Sequence, residues 1–226
     1  MTVLVVADCT SGPRKTGEMA MSLERRAHWN NVYGTKGERD VSWFQESPAI
    51  SLDLIRATEV TTAASIIDIG GGASRLVDDL LDAGFATITV LDISDRALAT
   101  AKARLGGCGA AVKWIVDDVT TWEPSQSYDL WHDRAAFHFL TEAKDRAAYV
   151  QRVLRAVRPG GHVIIGTFAP DGPERCSGLP VVRHDGASLS AVLGPAFALV
   201  ESRNEAHHTP TGAVQRFQFS RFRRSD

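Results

Sequence analysis

The stretch Ser65-Ile66-Ile67-Asp68-Ile69-Gly70-Gly71-Gly72-Ala73-Ser74 decides the fold. An apolar, β-branched run meets three glycines, which predicts a buried strand ended by a turn whose backbone a ligand can approach closely. Residues 74–83 then place Leu76, Val77, Leu80 and Leu81 at helical spacing and stop at Gly84. Working outward, residues 86–91 form a second β-rich run, and Ser94 caps an Ala-rich helix that ends at Leu105-Gly106. Residues 112–116 and 128–131 predict a third and a fourth strand. Residues 141–157 predict a long helix with Tyr149, Val150, Val153 and Leu154 inward, stopped by Pro159-Gly160-Gly161, and residues 162–168 a fifth strand. Two late β-rich runs, 197–203 and 215–222, flank a turn with Pro210 and Gly212 and leave no room for a helix between them. Alternating β and α segments imply a parallel sheet covered on both faces, while the last two strands must pair antiparallel. The expected fold class is α/β, a single doubly wound seven-stranded sheet.

Upstream of this core, residues 1–20 have no periodicity and read as a loose extension, with Met21 an equally good start. Residues 21–226 are expected to form one domain, with a cap over 21–60 and a core over 61–226. In the cap, residues 23–33 predict a helix carrying Trp29 and Tyr33 on one face. A polar stretch leads to Val41-Ser42-Trp43-Phe44, and Ser47-Pro48 predicts a further helix start, serine as N-cap and proline first in the helix, with Ile50, Leu54 and Ile55 buried. Twenty-five Lys and Arg against 27 Asp and Glu leave a net charge of −2, so the chain has no global electrostatic footprint for nucleic acid. No run is long and apolar enough to span a membrane, and a cytoplasmic protein with reduced thiols is expected, because Cys9, Cys108 and Cys176 are odd in number and widely spaced.

Ligands on doubly wound sheets bind at the carboxyl ends of the strands. Gly70, Gly71 and Gly72 fit several nucleotide cofactors, but the dinucleotide fingerprint would need glycine where this chain has Arg75. Asp68 would repel a pyrophosphate and suits a cationic ligand; S-adenosylmethionine carries both an ammonium and a sulfonium. Asp92 ends the second strand twenty positions after Gly72, where a carboxylate accepts hydrogen bonds from ribose hydroxyls, with Ile93 beside it. The bland reading of Asp92 is a charge favouring the following helix. Asp118 and Val119 follow the third strand, where a carboxylate can accept from an adenine amino group; otherwise the acidic pair Asp117-Asp118 only solvates a loop.

These residues, with Tyr128-Asp129-Leu130 and the run from Leu154 to Gly161, occur in the order and at the intervals of class I S-adenosylmethionine-dependent methyltransferases, a resemblance covering residues 66–168. Ser74 departs from it, standing where many members carry a third glycine. The resemblance implies S-adenosylmethionine as cofactor, an EC 2.1.1 activity, and a Rossmann-like sheet ordered 3-2-1-4-5-7-6 with the seventh strand antiparallel. The cap, with His28-Trp29, Tyr33 and Val41-Ser42-Trp43-Phe44-Gln45, resembles thiopurine S-methyltransferases and also seven-strand protein lysine methyltransferases. In both families this region folds over the cofactor, which implies that Trp29, Tyr33, Trp43 and Phe44 supply apolar walls, Trp43 above all.

After the fourth strand, His132-Asp133-Arg134-Ala135-Ala136-Phe137-His138-Phe139 is expected beside the transferred methyl. Asp133 is the first candidate to orient or deprotonate the acceptor and His138 the second, although Asp133 and Arg134 would serve equally as a structural charge pair. Residues 169–180 are long and loop-like where this architecture forms a substrate lid, with Arg175 and Cys176 within reach of substrate. His207-His208 lacks further ligands at metal spacing, so no metal is expected. The leading function is methyl transfer to a small-molecule thiol or amine, the alternatives being a protein lysine N-methyltransferase and a non-catalytic cofactor-binding sensor. The sequence leaves the oligomeric state and the acceptor open.

Overall fold

The computed structural model describes residues 13–226. Seven strands form one sheet: β1 (Ser65–Ile69), β2 (Thr87–Asp92), β3 (Val112–Val116), β4 (Tyr128–Arg134), β5 (Val157–Phe168), β8 (Phe197–His208) and β9 (Val214–Arg224). Their spatial order is β3-β2-β1-β4-β5-β9-β8. The first five run parallel, β9 is antiparallel to both neighbours, and the expected order 3-2-1-4-5-7-6 is observed once the short ribbon is set aside. That ribbon, β6 (Arg175–Cys176) with β7 (Leu179–Pro180), turns through Ser177 and Gly178, both at positive φ.

Among the described residues six α-helices accompany the strands: α1 (Pro13–Thr35), α2 (Ala49–Arg56), α3 (Leu76–Asp82), α4 (Asp95–Leu105), α5 (Ala143–Ala156) and α6 (Gly186–Leu193). The period-2 alternation of the strands sends successive side chains to opposite faces. Ile66, Leu130 and Ile164 pack with Leu54, Leu76, Leu80 and Leu98 on one side. Ile67, Trp131, Val163 and Ile165 pack with Tyr149, Val153 and Leu189 on the other.

Several boundaries differ from expectation for physical reasons. Residues 13–20, expected to be loose, belong to α1; Met19, Ala20 and Met21 are good helix formers, and one Gly17 costs only about 1 kcal/mol relative to Ala. Residues 1–12 of the expected extension, Cys9 included, lie outside the described residues. Ser47 does not cap α2: Pro48 occupies the N-cap position, and the Ser47 hydroxyl donates to Asp79 at 3.1 Å. Ser94 does cap α4, accepting from the Ala97 N–H at 3.1 Å. β8 and β9 run well beyond their apolar portions, because β8 is an edge strand whose outer half carries polar residues. α6 was not anticipated; its start is a capping box in which Asp185 accepts from the Ser188 N–H at 2.8 Å and Ser188 reaches back to the Asp185 N–H at 2.9 Å.

Candidate functional site

A cavity of about 900 Å³, its solvent-filled mouth included, opens where the carboxyl ends of β1, β2, β3 and β4 meet. Its floor is Gly70, Asp92, Ile93, Asp118 and Val119, and its roof is Arg25, Trp29 and Tyr33 of α1 with Trp43 from the following loop. The side wall joins Phe139 and Leu140 to Cys176 and Leu179 of the ribbon. Trp29, Tyr33, Trp43, Gly70, Asp92, Ile93, Asp118, Val119 and Cys176, all singled out in the sequence, therefore converge. Asp68, Gly71, Gly72, Asp133 and His138 do not line the cavity surface.

Two glycines set how closely the floor and the roof approach. Gly70 has φ +65°, and a Cβ there would stand 2.6 Å from the Ala136 Cβ. Gly72 has φ +47°, and a Cβ would sit 3.0 Å from both the Asp92 carboxylate and the Tyr33 hydroxyl. A larger residue at either position would strain the backbone and close the approach between floor and roof.

Asp92 is buried at the end of β2 and accepts from the Ser94 N–H through Oδ1 at 2.7 Å. Burial pushes its carboxyl up to about 7, against the Ser94 N–H and with Asp68 adding like-charge repulsion. Asp118 is more heavily engaged. Its Oδ1 accepts from the Thr120 N–H at 2.9 Å and the Thr120 hydroxyl at 2.7 Å, and its Oδ2 from Arg25 at 3.3 Å. Arg25 also donates to Asp145 of α5, so one guanidinium fastens the cap helix to the cavity floor and to a neighbouring helix.

Asp68 was expected to face the ligand, but it is turned into the sheet. The parallel register pairs Asp68 with His132, and His132 Nδ1–H donates to Asp68 Oδ1 at 2.7 Å. Ser51 of α2 lies 2.9 Å from His132 Nε2, its hydroxyl donating when the ring is neutral. All three side chains are buried, and the chain of bonds ties α2 to the centre of the sheet.

Asp133 is fully buried beneath the cavity edge instead of opening into it. Oδ1 accepts from the Ala136 N–H at 2.9 Å and the Phe137 N–H at 3.2 Å, while Oδ2 accepts from the Tyr149 hydroxyl at 2.8 Å. Between these anchors Ala135 holds φ +68°, a conformation unfavourable for alanine, on the cavity wall beside Gly70. Burial raises the Asp133 carboxyl to about 6, with these hydrogen bonds opposing. His138 is likewise fully buried, packed between Phe139 and Phe168, and burial depresses its imidazole to about 3. Arg134 does not pair with Asp133; it lines the cavity and donates to the Trp43 carbonyl at 2.9 Å.

The cap aromatics divide. Trp29 meets Trp43 and Phe139 edge to face at centroid distances of 5.8 and 4.9 Å, and Tyr33 meets Trp43 at 6.1 Å. Phe44 instead lies under Arg39 and Arg75 and lines a smaller neighbouring cavity. His207 donates to the Ser42 carbonyl at 2.7 Å. Among the described residues no group of three His, Cys, Asp or Glu side chains can hold a metal ion, and no helix is long and apolar enough to cross a membrane. Sequence reasoning missed Arg25, although Arg25, Trp29 and Tyr33 recur every four residues on one helix face.

Residues 66–161 match a family model described as a methyltransferase domain. A malonyl-[acyl-carrier protein] O-methyltransferase from Paenibacillus sp. (strain JDR-2) is 30% identical over 115 residues, 49% of this chain and 41% of the relative. An eEF1A lysine and N-terminal methyltransferase homolog from Drosophila melanogaster is 26% identical over 144 residues, 61% of this chain and 21% of the relative. The chain thus spans less than half the length of either curated relative. The N-methyltransferase NodS from Bradyrhizobium japonicum WM9, solved with S-adenosyl-L-homocysteine, superposes with a TM-score of 0.65 at 18% identity, covering 91% of this chain and 98% of NodS. Residues 66–161 thus carry a methyltransferase-domain match, set in a sheet with the strand order of the class I, Rossmann-like methyltransferase fold.

Proposed function

We propose that the cavity binds S-adenosylmethionine and that the chain moves its methyl group, by in-line displacement, to a small-molecule thiol or amine. S-adenosylmethionine supplies a methyl already activated on a sulfonium. The residues present fit this cofactor: a buried carboxylate at the end of β2 with Oδ2 still able to accept, an acidic residue after β3, and a glycine turn between them and the roof. Bound S-adenosylhomocysteine in the NodS structure supports the same reading.

The observation that carries the choice of a small acceptor is the roof. Trp29, Tyr33 and Trp43 above, with Cys176 and Leu179 at the side, wall the cavity with apolar surface, where an extended protein segment would need an open groove. Such a chamber excludes water and holds nucleophile and methyl carbon in line, and positioning of this kind accounts for roughly 7 to 11 kcal/mol of barrier in well-oriented systems. Asp133 acts in this reading as a positioning residue, holding the turn that carries Ala135 and Ala136 against Gly70. A protein lysine acceptor is the second reading, favoured by the likeness to the Drosophila methyltransferase homolog. Methyl transfer from labelled S-adenosylmethionine to a panel of free thiols and amines, run beside a protein lysate, tests the choice. Label confined to the small molecules supports the proposal, and label confined to lysate protein sinks it.

A further inference from the structure

Arg134 is a partly buried cation that forms no ion pair among the described residues. Its Nη1 donates to the Trp43 carbonyl at 2.9 Å, and its guanidinium lies 5.0 Å from the Phe217 ring centroid. Nε and Nη2 are buried and meet no acceptor among the described residues. These two nitrogens form one edge of the guanidinium, and their N–H bonds run parallel, the fork that receives both oxygens of a carboxylate. Burying such donors unpaired is costly, and burial lowers the Arg134 pKa from its ordinary value, Glu205 being the foremost charge opposing that shift. The Glu205 carboxylate forms no ion pair with Arg134: its Oε1 accepts from Gln45 at 2.7 Å and its Oε2 has no partner. The cavity wall it shares carries the apolar faces of Trp29, Trp43, Phe139 and Leu179, while Glu205, Cys176, Asp68 and Tyr33 are the titratable groups near enough to act on its charge.

From this geometry we infer that Arg134 is the carboxylate receptor of the cavity, and that the methyl acceptor is a flat, apolar molecule bearing a carboxylate. The inference rests on the methyltransferase reading, and it narrows the acceptor class. Both nitrogens are covered in this conformation, so an entering carboxylate reaches them by shifting wall side chains. The Trp43 loop, held by the same guanidinium, is the element placed to respond.

A carboxylate reaching Arg134 has two sources, the acceptor and the amino-acid end of the cofactor, and the test separates them. Benzoate and benzamide, equal in shape and different in charge, are titrated into wild type, Arg134→Gln and Arg134→Lys, each with and without saturating S-adenosylhomocysteine. Trp fluorescence and calorimetry give the readout, and melting curves establish that each variant is folded. Wild type is expected to favour benzoate at least tenfold, Arg134→Gln to lose that preference, and Arg134→Lys to keep part of it. Any change in S-adenosylhomocysteine affinity that comes through the Trp43 loop is expected to be matched by 5′-methylthioadenosine, which lacks the amino-acid carboxylate. Equal binding of benzoate and benzamide by wild type, or no benzoate binding, overturns the inference. A tenfold loss of S-adenosylhomocysteine affinity in Arg134→Gln with 5′-methylthioadenosine binding retained assigns the carboxylate to the cofactor and also overturns it. Failure of wild type to bind S-adenosylhomocysteine would sink the cofactor reading separately, while the benzoate comparison without it still decides the role of Arg134.

Discussion

Asp92 and Asp133 are both buried carboxylates at strand ends, yet their surroundings assign them different work. Asp92 lines the cavity floor and accepts from the backbone N–H groups of Ser94 and Gly72, whereas both oxygens of Asp133 are taken by its own turn and by Tyr149 away from the cavity surface. Asp92→Ala should therefore weaken S-adenosylhomocysteine binding by about 1.5 to 3 kcal/mol, the scale of hydrogen bonds to a charged acceptor, with the fold retained. An unchanged dissociation constant would remove Asp92 from the ribose. The pH dependence has a definite sign. The folded-state carboxyl titrates near 7, above its unfolded value, so its contribution to stability is present at acid pH and lost as pH rises through 7. Ribose hydroxyls donate to the ionised form, so cofactor affinity should rise from pH 5.5 toward 7 and level off above it. Calorimetry across that range should show the rise in wild type and a flat profile in Asp92→Asn. For Asp133→Asn, loss of about 1 to 3 kcal/mol of stability is expected from the disturbed bonds, giving a melting point lower by several degrees. Any loss of methyl transfer should resist rescue by raising pH. Unaltered melting together with a transfer defect rescued at high pH would make Asp133 a general base.

At the scale of elements, α1 is the piece most exposed to test. It is joined to the floor by Arg25, which bridges Asp118 and Asp145, and to α4 by Asn30, which accepts from the Ser94 hydroxyl at 2.7 Å. Asp145 lies outside the cavity lining, so Asp145→Asn loosens α1 without altering a cofactor contact. Arg25→Gln and Asp145→Asn should both weaken S-adenosylhomocysteine binding, roughly three- to tenfold given the partial exposure of Arg25, and both should speed proteolysis within residues 13–35. If only Arg25→Gln has an effect, the bridge does not couple helix docking to binding. Elements with strong local signals were legible in sequence: β1 and β3 have the predicted bounds, and Ser94 caps its helix. The polar half of β8, the capping box of α6 and the ten residues of α1 ahead of residue 23 were not, because edge strands and solvent-facing turns lack the apolar period that marks buried elements.

For the molecule as a whole, the strand order followed from the family resemblance and the position of the cavity from the switch-point rule. What the sequence could not give was the direction of side chains at strand ends. Asp68 and Asp133 sit at the expected positions, but the register against His132 and the hydrogen bonding of a tight turn draw both inward. Arg134 enters the cavity through tertiary contacts that no local spacing encodes, whereas Arg25 shares the helix face of Trp29 and Tyr33. The central claim, that the cavity takes S-adenosylmethionine and not a dinucleotide, is tested most directly by calorimetric titration of the wild-type protein with S-adenosylhomocysteine and with NAD. S-adenosylhomocysteine should bind at least tenfold more tightly; tight binding of NAD with none of S-adenosylhomocysteine would contradict it.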